Sequence, residues 1–308
     1  MVHGGGSRRR DEFLSEQRST LALAGITEKL AWASAHFEDL GREVRPWLEA
    51  NPPRVVSEYH DDAQILAMRG NLPEAPLHFG VMAGNIIHHL RSALDHLVWQ
   101  LVIANGGTPK DGPRGNAFPI YPYKISDFDK RMRHGRLQGV RRSHRAVIEN
   151  LQPYTRGHGP KAVLALLSEL DNAYKHQVLT PVVGLVDPNY PRQAGEIVVG
   201  DATLVGKIQF LPESTLEHDA IVGWVEIVPT GPHPHMDVEI LASRYTAFPS
   251  GAPVLRLLDT LGQTVAAIID AFTPCFDDIE VPPDPIKFNG VQHLEPKFAG
   301  TPMPWPDE

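Results

Sequence analysis

A short run of polar residues on one predicted helix carries the side chains best suited to chemistry. Arg91, Asp95 and His96 lie in the run RSALDH at 91–96. Arg91 and Asp95 are four residues apart, so on a helix their side chains can touch and fix the guanidinium. His96 lies about 140° around the helix axis from Arg91, on the other flank of a groove. Because a guanidinium stabilises phosphate charge and an imidazole titrates near neutrality, the pattern predicts a phosphate-directed acid–base site.

The helix that carries this run extends from about Val81 or Ala83 to Ala104 and has two distinct faces. Its apolar face comprises Ile86, Ile87, Leu90, Ala93, Leu94, Leu97 and Leu101. Its polar face comprises Asn85, His88, His89, Arg91, Ser92, Asp95, His96 and Trp99. A solvated helix face is usually rich in lysine and glutamate, and this face has neither. We therefore expect it to contact a ligand or another element, with His88 and Ser92 as substrate-binding residues.

A second predicted helix, from Pro160 to about Leu179, offers a matching polar surface. One of its sides carries Ser168, Asp171, Asn172, Lys175 and His176. If the two helices pack side by side, Glu169 or Asp171 can pair with Arg91, and Lys175 can pair with Asp95. Asn172, Lys175 and His176 are therefore predicted to bind substrate in a shared pocket.

A basic run lies between Asp129 and Glu149, where the sequence has no acidic residue. It contains Lys130, Arg131, Arg133, Arg136, Arg141, Arg142 and Arg145. The chain as a whole carries a net charge of −8, so the run is a local basic patch on an acidic protein. Such a patch can hold a polyanion, for which we assign Arg141 and Arg142, or can be the solvated face of a surface helix.

The Arg-x4-His spacing at 91–96 resembles the motif of HEPN-type proteins, which are small helical bundles that commonly act as homodimers. The resemblance implies a metal-independent ribonuclease or a nucleotide-binding protein that needs no cofactor. Arg91 would hold the scissile phosphate, His96 would transfer a proton or position the ribose, and Asp95 would assist. The wider pattern, NIIHHLRSALDHLVWQL followed by LSELDNAYKHQVL, also resembles a group of bacterial proteins. RNA or a nucleotide, and a second copy of the chain, are the partners that this resemblance predicts.

Two other classes of function fit the same residues. In a non-enzymatic binding or scaffold protein, the polar helix faces would be packing networks or oligomer contacts, because buried charge pairs often fix geometry without doing chemistry. In a small-molecule or metal-dependent enzyme, the pocket between the helices would hold the substrate. Its potential donors are His88, His89, His96 and His176 with Asp95 or Asp171, although the HExxH pattern of many zinc enzymes is missing.

The elements that must position these residues predict an α+β fold, a helical bundle with an antiparallel β-sheet inserted before the last helix. An apolar stripe predicts a first helix at 11–44, ended by Pro46 and then by Pro52 and Pro53. The segment 55–68 favours a strand or hairpin, and the runs 196–210, 220–228 and 236–241 favour the sheet. The predicted organisation is a flexible tail at 1–12, a helical bundle at 13–190, a sheet at 191–250, a helix returning to the bundle at 251–275, and a Pro-rich tail at 276–308.

Composition places the chain among ordinary globular proteins. Of its 308 residues, 42% are hydrophobic and 21% are charged, which excludes fibrous and fully disordered classes. No apolar run is long enough for a membrane span, so no membrane partner is expected. Cys275 is the only cysteine, so the chain cannot form an internal disulfide. That usage favours a reducing, cytoplasmic location.

Overall fold

The structure is a computed structural model that describes residues 5–51, 54–71, 73–156, 159, 162–177, 179, 182–185, 194–210, 219, 221–240, 244–247, 254–281 and 283. The chain divides into two compact units. The helical unit contains the described residues of Met1–Asp39, Val81–Leu179 and Arg256–Pro296. The sheet unit contains those of Leu40–Gly80, Thr180–Leu255 and Lys297–Glu308. The predicted α+β class is confirmed.

The first helix, α1, is longer than its apolar stripe predicts. It covers Gly5–Ala50, so it begins before the expected start at Asp11 and continues through Pro46. The prediction that Pro46 ends the helix is wrong. Val44 and Leu48 on either side of this proline are buried, and their packing holds the helix together where a hydrogen bond is missing. The chain leaves the helix at Asn51, whose backbone and side-chain amides both donate to the Trp47 carbonyl at 2.9 Å.

The remaining helices follow the sequence pattern with shifted ends. They are α2 (Leu77–Ala104), α3 (Phe128–Arg133), α4 (Arg142–Asn150), α5 (Val163–His176), α6 (Val254–Phe272) and α7 (Pro274–Asp277). Helix α2 ends where predicted, because Gly106 adopts a positive φ of 75° and lets the chain reverse. The basic run does not form one helix from Leu137. Its chain turns at Gly139, whose φ is 86°, so α4 starts only at Arg142.

The core of the helical unit is built from the faces that the periodicity predicts. Every residue assigned to the apolar face of α2 is at most 2% exposed. Helix α6 contributes Leu261, Val265, Ile268 and Phe272 to the core of the same unit, as expected for a helix that returns to the bundle. The loop between α2 and α3 also enters the interior, where Phe118 is fully buried. The polar face of α2 is thereby held in a fixed place.

The sheet unit contains more strands than the Val- and Ile-rich runs predict. They are β1 (Arg54–His60), β2 (Ile65–Asn71), β3 (Val182–Leu185), β4 (Ala194–Gly200), β5 (Ala202–Phe210), β6 (Ile221–Pro229), β7 (His235–Ile240) and β8 (Arg244–Ala247). Six of them form an antiparallel sheet in the order β4-β7-β1-β2-β6-β5, and β3 pairs with β8 in a second sheet. Of the two alternatives predicted for 55–68, a strand or a hairpin, the structure shows the hairpin β1–β2, which forms the centre of the six-stranded sheet.

The six-stranded sheet curls, because its two edge strands are directly connected in sequence. Strands β4 and β5 are the two edges, yet only Asp201 separates them in sequence. Asp201 turns the chain with a φ of 52°, accepts a hydrogen bond from the Thr230 amide at 2.8 Å, and accepts another from the His233 amide at 3.0 Å through its carboxylate. A side chain at Gly231 would collide with this carboxylate, its Cβ falling 2.5 Å away. The turn at 231–234, which joins β6 to β7, is therefore one side of the sheet corner.

The inner face of the curled sheet holds a separate core. It consists of Val55, Leu66, Met68, Val225, Ile227 and Met236, each at most 3% exposed. These positions alternate along their strands with residues on the outer face, which is the period expected of a half-buried strand. Among the described residues, no helix combines the length and the apolar content that crossing a membrane requires. Of the predicted Pro-rich tail, residues 282 and 284–308 lie outside the described residues, and α7 covers its first two positions.

Candidate functional site

Helices α2 and α5 pack side by side, which is the arrangement that a shared polar surface requires. Gly84 of α2 lies against the ring of Tyr174 of α5, so closely that a Cβ at Gly84 would fall 2.1 Å from two ring carbons. The Tyr174 hydroxyl donates to Oδ1 of Asn85 at 2.7 Å. A small residue on one helix and an anchored aromatic on the other therefore bring the two backbones close together and fix their register.

This register places a histidine, a carboxylate and a lysine in one group. Nδ1 of His88 lies 3.0 Å from Oδ1 of Asp171, and Nζ of Lys175 lies 2.6 Å from Oδ2 of the same carboxylate. The Asp171 side chain is only 1% exposed, whereas the side chains of His88 and Lys175 are 52% and 47% exposed. A buried carboxylate bonded to Nδ1 fixes the imidazole tautomer, so the second ring nitrogen, Nε2, remains for another partner. A half-exposed imidazole held in this way can exchange a proton with a bound molecule.

Arg91 and Asp95 form the contact that their spacing predicts, but they hold a loop of the same unit. Their side chains are 3.0 Å apart, and the Arg91 side chain is only 10% exposed. Nη2 of Arg91 donates to the Phe118 carbonyl at 2.8 Å, and the Phe118 amide donates to Oδ1 of Asp95 at 2.8 Å. The pair thus satisfies both backbone groups of one buried residue. Farther along the loop, Gln152 bonds the Pro119 carbonyl and the Tyr121 amide.

Burial favours the neutral forms of Arg91 and Asp95, whereas the attraction between them favours the charged forms. Desolvation lowers the pKa of Arg91, while the negative charges of Asp95 and Asp171 raise it. Desolvation raises the pKa of Asp95, while Arg91 and the Phe118 amide lower it. Nη1 of Arg91 is buried and has no hydrogen-bond partner among the described residues. The pair stabilises the structure only as long as both members are present.

His96 lies on the other flank of α2 and contacts α1. Its Nε2 is 3.0 Å from Nε2 of Gln100, and its ring fits against Gly25, where a Cβ would fall 2.4 Å from Cε1. Its Nδ1 makes no hydrogen bond of good geometry within the described residues, although the Gly25 backbone lies beside it. Burial lowers the pKa of His96, and the charge of Lys29 lowers it further. Arg91 and His96 therefore face different neighbours, on the two flanks that the helical spacing assigns to them.

The predicted substrate-binding residues other than His88 and the arginines lie on α2 and α5. Ser92 is half-buried on α2, and Asn172 and His176 are exposed on α5. Lys175 pairs with Asp171 on its own helix and not with Asp95, and Asp171 contacts His88 and not Arg91. The expected pairings were wrong because the polar faces meet one helical turn closer to the start of α2.

The basic run is partly neutralised within the helical unit. Arg141 pairs with Glu280 and donates to Oδ1 of Asn105 at 3.1 Å. Arg145 pairs with Asp129 at 2.7 Å, and Arg142 is exposed. Arg141, assigned to substrate binding, therefore fastens the segment that follows α7. In the described part of the chain, no group of three or more histidine, cysteine, aspartate or glutamate residues is placed to hold a metal ion.

Sequence reasoning missed two groupings. On α1, Trp32 and His36 are one helical turn apart and contact His89 of α2, and their i, i+4 spacing was the available signal. In the sheet unit, an open groove of about 560 Å³ is lined by the β1–β2 turn and the outer face of β2 and β6, including Tyr59, Asp61 and Trp224. No local periodicity marks this groove, because its walls come from strands more than 150 residues apart in sequence (Tyr59 and Trp224).

Comparison with protein-family models, curated proteins and solved structures gives no match for this chain. A function for this chain is therefore inferred from the geometry of the site.

The contact between Gly84 and Tyr174 gives a direct test of how the site is positioned. We expect Gly84→Ala to destabilise the helical unit by about 1–3 kcal/mol, because the added methyl must displace a ring that is anchored at Asn85. The measurement is urea-induced unfolding. Gly41→Ala, on α1 with nothing within 4 Å of the added Cβ, is the control and should not destabilise the protein. A Gly84→Ala protein as stable as the wild type would contradict the packing described.

Proposed function

We propose that the joined polar faces of α2 and α5 bind RNA or a nucleotide through its phosphate and catalyse a metal-independent proton transfer, with His88 as the acid–base group. The observation that carries the proposal is the exposed His88 imidazole bonded to the buried Asp171 carboxylate. A histidine oriented in this way is a common form of general acid–base catalyst. In this proposal Asp171 is a positioning residue, since it acts through His88.

The charge of this face supports an anionic ligand. His88 and Lys175 both contact the carboxylate of Asp171, so the exposed ends of an imidazole and an ammonium group lie above one buried negative charge. Asn172 and His176 extend the same side of α5 with further hydrogen-bonding groups. Phosphate oxygens accept hydrogen bonds and are attracted to clustered cations.

The resemblance of 91–96 to HEPN-type proteins supports the same reaction class, RNA cleavage or nucleotide binding. In our proposal Arg91 and Asp95 position the loop beside α2, because their polar atoms already contact Phe118. His96 faces α1, so it would act on the opposite flank from His88. A homodimer, which the resemblance also implies, would bring a second set of these residues to the ligand.

The test compares histidine variants that differ in their contact with Asp171. We expect the purified chain to cleave a short single-stranded RNA in buffer containing a chelator, and His88→Gln to lower the rate about 100-fold, since acid–base catalysis contributes about 10²–10⁴-fold. His134→Gln, at an exposed position after α3, should keep most of the activity. Lys175→Gln should weaken RNA binding. If the wild type neither binds nor cleaves RNA or nucleotides, or if His88→Gln matches His134→Gln, the proposal fails.

A scaffold or binding role without catalysis is the second candidate. The hydrogen bonds of Arg91 and Asp95 to both backbone groups of Phe118 favour a role without catalysis. These two side chains, which the sequence predicts to be catalytic, are used for contacts inside the folded chain. In that case Arg91 and Asp95 variants should lose stability, while nucleotides should not bind to the wild type.

A further inference from the structure

Trp32 of α1 is an exposed aromatic side chain that is nevertheless held in one orientation. About half of its surface is open, at 51% exposure. Its indole Nε1 donates to Oε1 of Glu28 at 3.1 Å. The His36 ring meets it edge-on at 5.5 Å, and the His89 ring of α2 stacks nearly parallel to it at 6.4 Å with an interplanar angle of 16°. Three contacts therefore fix the indole, while much of it remains accessible.

Such an arrangement is suited to stacking a flat ligand. An exposed tryptophan ordinarily loses side-chain freedom when it binds something, and that loss weakens binding. Here the loss has already occurred within the folded chain, because Glu28, His36 and His89 restrain the ring. Aromatic side chains held in this way are the usual platforms for unpaired nucleobases.

Charged groups of both signs lie beside the platform, with the Glu28 carboxylate on the indole nitrogen and the Lys29 ammonium near His89. Burial lowers the pKa of His89, and the charges of His36, Lys29 and His88 lower it further. His89 therefore tends to remain a neutral, flat ring behind Trp32, while Lys29 supplies a cation nearby. His89 also follows His88 directly, so their Cα atoms are about 3.8 Å apart. The His89 ring that backs the platform and the proposed acid–base group therefore lie on adjoining faces of one turn of α2, about 100° apart around its axis.

We infer that Trp32, backed by His89, stacks against an unpaired nucleobase of the ligand whose phosphate binds at His88 and Lys175. This inference rests on the proposed function and narrows its substrate class. Bases in a duplex are paired and stacked on one another, so only a single strand or a free nucleotide can present a base to the indole. The ligand is therefore an unpaired base joined to a phosphate.

The test measures affinity for two labelled strands of equal length and charge, a single-stranded RNA and an abasic strand, by fluorescence anisotropy. We expect the wild type to bind the RNA about tenfold more tightly than the abasic strand. Trp32→Ala should abolish this preference and keep the affinity for the abasic strand. Trp32→Leu, which retains apolar volume, should do the same if the alanine variant folds poorly, while Trp32→Phe should keep most of the preference.

The controls separate this inference from the proposed function. Trp47→Phe, also on α1, should leave the preference for RNA over the abasic strand unchanged. Lys175→Gln should lower the affinity for both strands by the same factor. Competition with a mononucleotide distinguishes the two possible ligands. A mononucleotide that binds as tightly as the RNA strand identifies a free nucleotide as the ligand, and one that binds more weakly identifies RNA. Either result supports the platform. Equal wild-type affinity for the two strands overturns the platform alone. A Trp32→Ala protein that still prefers RNA over the abasic strand also overturns the platform. If the sedimentation coefficient of this variant changes as well, Trp32 is a contact between copies of the chain. A wild type that binds neither strand overturns the proposed function together with the platform.

Discussion

Replacing Arg91 with alanine should lower the free energy of unfolding of the helical unit by about 2–4 kcal/mol. The substitution leaves the Phe118 carbonyl without its donor and leaves the partly buried Asp95 carboxylate without its cation. Complete burial would place the loss at the upper end of the range. The Asp95 side chain is 37% exposed, so water can reach it and reduces the cost. Urea-induced unfolding at neutral pH, followed by circular dichroism, is the measurement.

Arg142→Ala is the matched control for this prediction, because it removes the same side chain from an exposed position. It should change stability by less than about 0.5 kcal/mol. The double variant Arg91→Leu/Asp95→Leu should recover part of the loss, since removing both charges leaves neither buried alone. If Arg91→Ala were as stable as Arg142→Ala, the role of Arg91 as a clamp on the loop would be contradicted. The role of the side chain would then have to be sought in ligand binding.

Acid should destabilise the helical unit, and His144 should account for a measurable part of the effect. His144 of α4 is fully buried beside Phe272, and neither ring nitrogen has a hydrogen-bond partner of good geometry among the described residues. Burial lowers the pKa of His144, and Arg141 lowers it further, while Glu280 and the Val281 backbone oppose the shift. Burial also lowers the pKa values of His89 and His96.

The sign of the pH dependence follows from these directions. A histidine whose pKa is lower in the folded state than the unfolded value of about 6.5 takes up a proton on unfolding in acid. Stability should therefore be highest above about pH 6.5 and should fall as the pH is lowered through that value. We expect His144→Leu to flatten this dependence and to raise stability at pH 5 by about 1–2 kcal/mol relative to the wild type.

Thermal and urea unfolding between pH 5 and pH 8 provides the measurement. His134→Gln, at an exposed position, serves as the control and should keep the wild-type dependence. A His144→Leu protein that loses stability with acid as steeply as the wild type would refute the assignment. A wild type more stable at pH 5 than at pH 7.5 would refute the sign itself.

The sequence determined the elements whose signals are local. The apolar face of α2 and its end at Ala104 were predicted residue by residue, because helical periodicity and a glycine at the chain reversal depend only on near neighbours. Helix α6, at Val254–Phe272, lies within the predicted range 251–275 for the same reason. The segment 55–68 was predicted as a strand or a hairpin from its mixture of β-branched and polar residues, and the structure shows the hairpin β1–β2.

Tertiary structure decided which of these residues act together. His88 and Asp171 are 83 positions apart in the chain, and their contact depends on the fit of Tyr174 against Gly84. Arg91 is engaged by the backbone of Phe118, and Pro46 remains inside α1 because its neighbours are buried. Local patterns carry no information on such pairings, because their energy arises only when distant segments exclude water from one another. The sequence thus supplied the candidate side chains, and the packing of α1, α2 and α5 selected their partners.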